Sequence, residues 1–565
     1  MGEHKEVICH LKLRGLFIVL VCVVAAVVLS HVWVVRWDMT DDKHYSLSEA
    51  SKALLRQTDA PIEVTVLLGG DLNAGFRRLQ KATEETLEEM AVYGDIRVND
   101  EMTALLNDKR MDSLALSPII IHEREQNGKT AQTKVYPYAL MRYKGKKAVV
   151  TLLKNTRGLS GEENLNASIE QLEFAFSEAL HLLLQTATPR IAILEGHNEP
   201  DEAHTYDLMT ALSKYFQVDR GSIVPSQPAF RDEPEEIDVH LLDGYQAIII
   251  AAPQTAFNDV ERFVIDQYIM RGGTVLWAID GVRFSEQVLQ TEGFTPIIPL
   301  DLGLTEMLFR YGIRITPALV QDIQCLPIPV NVSPNPEQPN LQPMPWTFAP
   351  LLLTSQGSPI TRNMGQVMST FVSPVEAVGG DDGIEKRVLL ATSTASRVTA
   401  TPGKVDLNDM QPDMQEFKYQ YVPVAVSLEG VFPSAYAHRM VPDGIATNEP
   451  IRKESTPTRQ VVIASGSVLL NETQKGQILP MGYDRYSGMQ FSNRDMIVNA
   501  LLWLTDEEGL IGLREKNVVL RLLNDKRAHE ERLRVQLIST ICPIAILALI
   551  GGIVFIARKR KFERV

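Results

Sequence analysis

Three stretches decide the fold: RIAILEGHNEP (Arg190–Pro200), YQAIIIAA (Tyr245–Ala252) and TVLWAI (Thr274–Ile279). Each holds an almost unbroken apolar run rather than an alternation. A strand apolar on both sides is buried on both faces, the situation of a parallel sheet covered by helices. The segments between them have helical spacing. One helix is predicted from Glu202 to about Phe216 and another from Asn258 to Met270, with glycine closing the second at Arg271-Gly272-Gly273. The pattern predicts an α/β fold built on a parallel sheet.

The pattern continues outward. Leu302–Tyr311 predicts a helix before GIRI. Cys325–Pro350 holds eight prolines, a density that predicts an extended loop, an insertion over 325–350 with no regular element. Strands resume at Lys386–Thr392, Tyr421–Gly430 and Arg459–Gly466, and a helix over Arg494–Leu504 is capped by Asn493. With an amphipathic helix over Leu165–Leu184, residues 161–513 read as one domain. Residues 36–160 read as a separate N-terminal α/β layer. There Ser46 or Ser48 caps a helix through about Gln57, and Pro61–Leu68 is a strand. Phe76–Tyr93 is a helix with Leu79, Leu87, Met90 and Val92 on its apolar side. Strands follow at Ile119–Glu123, Lys134–Tyr143 and Lys146–Leu153, with a hairpin turn at Lys144-Gly145. The strand-helix-strand order is thioredoxin-like, but no CxxC accompanies it.

Two segments have membrane character. Leu16–Val35 and Ile538–Ala557 are each twenty residues without a formal charge, the length a helix needs to cross about 30 Å of hydrocarbon. Lys5, Lys12 and Arg14 lie in the tail before the first (1–15), and Arg558, Lys559, Arg560, Lys561 and Arg564 in the tail after the second (558–565). Lys and Arg are retained on the cytoplasmic side, so both termini are expected there and the body outside the cytoplasm. No A-x-A site follows the first span, which reads as an uncleaved anchor. Residues 514–537 read as a charged helical stalk. The net charge of −14 gives no basic footprint for nucleic acid. Of four cysteines only Cys325 lies in the body, so neither an intramolecular disulfide nor thiol redox chemistry is expected.

The sharpest candidate site is the loop EGHNEP. Ligands of open parallel sheets sit beyond the carboxyl ends of the strands, and Glu195, His197 and Glu199 could hold a polar ligand there. The alternative is a surface loop shaped by Gly196 and Pro200. With one histidine and no HxH or HExxH spacing, no metal is assigned. Ser465 and Ser467 in IASGSVLL do not form G-x-S-x-G. Arg271-Gly272-Gly273-Thr274 precedes a strand, so it is neither a Walker loop nor a dinucleotide fingerprint, and no cofactor is expected.

Several stretches together resemble one family: WDMTDDKHYSLSEASKALL, GDLNAGFRRLQKATEETLEEM, LNASIEQLEFAFSEAL, RIAILEGHNEP, LFRYGIRITPALVQDIQC, VSLEGVFPSAY and, most specifically, Tyr483–Leu523. The chain is similar to GldG, the gliding-motility-associated ABC transporter auxiliary protein, also called a substrate-binding component. The resemblance implies a two-pass protein of the bacterial inner membrane with a periplasmic body. It implies a GldF-like multispan permease and a GldA-like cytoplasmic ATPase as partners. It also implies a central domain similar to the class I glutamine amidotransferase fold. That fold's catalytic cysteine has no counterpart, because Asp280-Gly281-Val282 follows TVLWAI. The expected function is a non-enzymatic auxiliary subunit of an ABC transporter. The competing readings are a structural scaffold between the inner membrane and an envelope assembly, and a membrane-anchored hydrolase of amidotransferase-like fold.

Overall fold

A computed structural model describes residues 46–515 and 525–562, apart from 71, 100–115, 125–129, 155–159, 186, 225–235, 332, 334–337, 339, 380–382, 408–412, 448 and 507–508. The first expected span, Leu16–Val35, and the tail before it lie outside the described residues. The chain divides into two units, Met1–Asn517 and Val518–Val565.

The first unit begins with α1 (Glu49–Arg56), where Ser48 Oγ accepts Ser51 N at 3.1 Å, the capping expected of it. Then come β1 (Ile62–Val66), α2 (Ala74–Ala91) and β2 (Ile96–Val98), followed by a hairpin of Ile119–Arg124 with Thr130–Val135, then β3 (Tyr138–Tyr143) and β4 (Lys146–Thr151). The sheet order is β2-β1-β3-β4, with β1 parallel to β2 and the other pairs antiparallel. Lys144 and Gly145 both have positive φ, as a two-residue hairpin turn requires. Pro137, which has no N–H to donate, splits the expected strand Lys134–Tyr143 in two. Leu79, Leu87 and Met90 of α2 are buried, whereas Val92 caps the helix end and is exposed.

The helix expected over Leu165–Leu184 is two helices, α3 (Gly161–Glu170) and α4 (Leu172–Leu184), parted at Gln171, whose ψ is 2°. The break lets α3 lie on α2 while α4 crosses β3 and β4. Ser51 Oγ donates to Glu173 Oε1 at 2.8 Å, tying α4 to α1.

The central sheet contains β5 (Arg190–Leu194), β6 (Gln217–Gly221), β7 (Ala247–Ala251), β8 (Thr274–Ala278), β9 (Cys325–Asn331), β10 (Leu341–Thr354), β11 (Ile384–Ala391), β12 (Pro423–Gly430) and β13 (Thr458–Ile463). The short strand Val367–Met368 pairs with β10. The order is β9-β10-β11-β12-β13-β8-β7-β5-β6. From β13 to β6 neighbours are parallel, and from β13 to β9 they are antiparallel. Successive residues of the parallel strands enter different cores. Ile191, Ile193, Ile249 and Leu276 face one side, with Leu208 of α5 (Glu202–Leu212) and Ile497 of α8 (Asn493–Leu504). Ala192, Ile248, Ile250 and Trp277 face the other, with Phe263 and Ile269 of α6 (Asp259–Met270) and Leu308 of α7 (Thr305–Arg310). Both faces are covered, which is why these strands read as continuous apolar runs. Asp266 of α6 accepts Tyr311 OH at 2.8 Å, Ser434 Oγ at 2.7 Å and Ala435 N at 2.8 Å, so a buried carboxylate fastens Tyr311 and the segment at Ser434-Ala435 to the helix.

Two expectations are corrected here. The proline-rich segment is not a loop: Cys325–Asn331 and Leu341–Thr354 form an antiparallel hairpin at the sheet edge. Pro327 faces Pro345 and Pro329 faces Pro343. Prolines at every second pair all fall in one half of the antiparallel alternation, where the nitrogen can point away from the partner and no ladder bond is lost. Asn493 does not cap α8 with its side chain. Ser492 stands at the cap, and Asn493 is buried, exchanging bonds with Met368 N (2.9 Å) and Met368 O (2.8 Å).

In the second unit, one helix, α9 (Asp525–Phe562), spans 38 residues. Its window Ser539–Ile556 is long and apolar enough to cross a membrane, and Ile541, Leu547 and Phe555 are exposed on it. Pro543 lies inside this helix.

Candidate functional site

The parallel strands run β6-β5-β7-β8-β13 in space, so chain direction across the sheet reverses between β5 and β7. In such sheets the crevice at the reversal, beyond the carboxyl ends, is the usual ligand position. The loop Glu195–Pro200 leaves β5 at this point. Gly196 has φ +119°, a left-handed conformation in which L side chains are strained. Glu199 then folds back, and its Oε2 accepts Gly196 N at 3.0 Å and His197 N at 2.8 Å.

The crevice is filled by the protein itself. His197 is 4% exposed and its ring stacks on Phe257 with centroids 3.6 Å apart. Its Nε2 is 3.0 Å from Glu261 Oε2 on the first turn of α6, and its Nδ1 is 3.4 Å from Glu199 Oε1. His197 O accepts Gln254 N at 2.7 Å and Thr255 N at 3.0 Å, joining the loops after β5 and β7. Burial alone would lower the imidazole's pKa, but the Glu199 and Glu261 carboxylates on either side raise it to about 9. Burial likewise pushes the Glu199 carboxyl up, and the imidazolium with the backbone N–H groups more than offsets that, leaving it below the usual carboxylate range. The arrangement is a cation clamped between two carboxylates.

The three residues singled out from the sequence do not converge. His197 and Glu199 are together, whereas Glu195 turns toward β6, where its Oε1 accepts Arg220 Nε at 2.6 Å. Arg220 Nη1 in turn donates to Thr205 Oγ1 at 2.7 Å. Glu261, the second carboxylate on the histidine, was missed by sequence reasoning. Its signal was the Asn258-x-x-Glu261 spacing of a capping box, which the structure forms. Among the described residues no group of three or more His, Cys, Asp or Glu side chains is placed to hold a metal ion.

A second cluster lies at the exits of β8 and β13. Gly466 N donates to Asp280 Oδ1 at 2.8 Å, and burial raises the Asp280 carboxyl to about 6. Ser465 is 1% exposed; its hydroxyl lies 3.1 Å from Thr370 O and 2.8 Å from Ser467 Oγ. Ser467 Oγ accepts Thr370 N at 3.0 Å. Both hydroxyls are taken up in bonds within the fold.

Residues 188–500 match the family model described as an ABC-type uncharacterized transport system, and residues 41–142 match a domain of unknown function. No curated protein matches the chain. The solved structure titled "mmIFT52 N-terminal domain" overlaps it at 15% identity and a TM-score of 0.31, over 56% of this chain and 97% of that one.

Proposed function

The chain belongs to the family of ABC-type uncharacterized transport systems, and from that premise we propose that it is a non-catalytic, extracytoplasmic accessory subunit of an ABC transporter. The observation that carries this reading is the match over residues 188–500, which takes in every strand of the central sheet and the whole of the core beneath α6 and α7. The apolar helix window Ser539–Ile556 supports membrane association. In this reading Leu16–Val35 is a second span, both termini are cytoplasmic and the body is periplasmic, as the flanking Lys and Arg residues favour.

One or two spans make no transport path, so the pore belongs to a multispan permease and the energy to a cytoplasmic ATPase. The finer identity, a GldG-type subunit working with GldF-like and GldA-like partners, is supported by the sequence resemblance, above all over Tyr483–Leu523. An amidotransferase-like ancestry of the central domain is supported by its five parallel strands. Loss of catalysis is supported by Asp280-Gly281 at the β8 exit and by the inward bonding of Ser465.

The test is reconstitution of permease and ATPase in proteoliposomes with and without this chain. ATP hydrolysis that changes when the chain is present supports the accessory role. Hydrolysis and complex formation indifferent to it would overturn that role.

A further inference from the structure

With the crevice between β5 and β7 filled by His197 and Phe257, the open space at the carboxyl edge lies beside the exit of β8. A cavity of about 470 Å³ runs between Ile279–Gly281, the segment Pro299–Leu308 and the strand Ile313–Ile315. This is within the range of about 300–1,000 Å³ in which small-molecule sites fall. Its wall is apolar, with Leu300, Leu304, Leu308 and Ile315. Three charged residues line it: Asp280, Asp301 and Arg314.

Their pairings leave capacity for a ligand. Arg314 is exposed; across its strand pair it faces Glu376, whose Oε1 accepts Thr316 Oγ1 at 3.1 Å, and among the described residues no ion pair holds the guanidinium. Asp301 is exposed and spends one oxygen on Gly303 N at 2.9 Å. Asp280 is half-buried, and its carboxylate accepts Gly466 N at 2.8 Å and a side-chain bond from Gln254, so it adds its charge at the inner end of the cavity. The loop between them is held firmly. Leu300 N donates to Gly281 O at 3.2 Å, and a Cβ on Gly281 would meet Ser373 Oγ at 2.6 Å. An anion such as a phosphate would meet two carboxylates, and a simple cation would leave the guanidinium idle. A molecule with an ammonium at one end, a carboxylate at the other and an apolar body answers all three charges and the wall.

We propose that the cavity at the β8 exit binds a zwitterion with an apolar body, of the size of a short peptide, its ammonium at Asp280 and Asp301 and its carboxylate on Arg314. This rests on the accessory-subunit reading and gives it a ligand class. The test is calorimetry on the full chain in mild detergent, without partners, using three probes: the dipeptide Leu-Leu, its C-terminal amide and its N-acetyl form. The dipeptide is expected to bind, and each blocked form to bind about tenfold more weakly or worse. Arg314→Ala is expected to bring the dipeptide down to the level of the amide and to leave the amide unchanged. Asp301→Asn is expected to weaken the dipeptide and the amide alike. No binding of the dipeptide at millimolar concentration would overturn the proposal, as would equal binding of all three probes or indifference to Arg314→Ala. Because the chain is measured alone, such a failure is separate from a failure of complex formation, which reports on the accessory role.

Discussion

His197 Nε2 lies 3.0 Å from Glu261 Oε2, and the same carboxylate oxygen accepts Asn258 N at 2.8 Å. One side chain therefore caps α6 and pins the loop that leaves β5. Removing the histidine would leave Glu199 and Glu261 facing each other, buried, without the cation between them. Breaking a buried pair from one side costs about 3–5 kcal/mol. His197→Ala is expected to lose that much in urea unfolding at neutral pH, and a loss of under about 1 kcal/mol would contradict the clamp.

The same contact sets a pH dependence. The folded imidazole titrates near 9 against an ordinary 6.5, so the folded state holds the proton more tightly. Its contribution is complete below the lower value and is lost as pH rises through the higher one. The difference corresponds to something on the order of 3 kcal/mol. Unfolding free energy should fall by about this amount between those pH values, and His197→Gln should flatten the fall. Equal slopes in both proteins would count against the clamp.

Asn493 joins α8 to two other segments: Met368 through two bonds, and Val468 O at 3.2 Å. Asn493→Ala strands the buried carbonyl of Val468, at about 1–3 kcal/mol, and the part-buried N–H and carbonyl of Met368, which water reaches more easily and which cost less. A loss of about 2–4 kcal/mol is expected by denaturant titration. Asn493→Ser, which can keep one of these bonds, should recover part of it.

The edge strand β9 faces outward with Pro327 and Pro329, which have no N–H to offer a further strand. Replacing both by threonine should give an edge able to pair. Sedimentation should then show self-association with the fold intact by circular dichroism. A double variant as monodisperse as the parent would remove the edge-protection role of these prolines.

At Gly466 a Cβ would lie 2.3 Å from Ala252 Cβ and 3.1 Å from Ala252 Cα, which is backbone. Gly466→Ala must push the β7 and β13 exits apart, and about 1–3 kcal/mol is the usual cost of such overpacking. Gly161→Ala meets nothing within 4 Å and serves as the neutral comparison. A comparable urea midpoint for the two variants would contradict the tight crest.

What the sequence could reveal follows the strength of local signals. β5, β7 and β8 were legible because burial on both faces leaves an unbroken apolar run. Ser48 and the Lys144-Gly145 turn were legible because cap and turn chemistry is local. β6 was missed because an edge strand reading QVDRG keeps polar groups in contact with water; Arg190 and Asp219 pair across it at 2.6 Å. The proline hairpin was missed because the density of prolines hid their alternate spacing. At the candidate site, His197 and Glu199 were found in sequence. Their partner Glu261 is 64 residues away from His197, and only the fold brings it there. Asn493 sits where a helix cap is expected, and its long-range bonds have no local signature.

The measurement that bears most directly on the accessory role is affinity purification of the full chain from native membranes in mild detergent, with mass spectrometry of what accompanies it. Recovery of a multispan permease together with a Walker-motif ATPase is the expected result. Recovery of neither, with envelope proteins in their place, would contradict the accessory role and favour a scaffold.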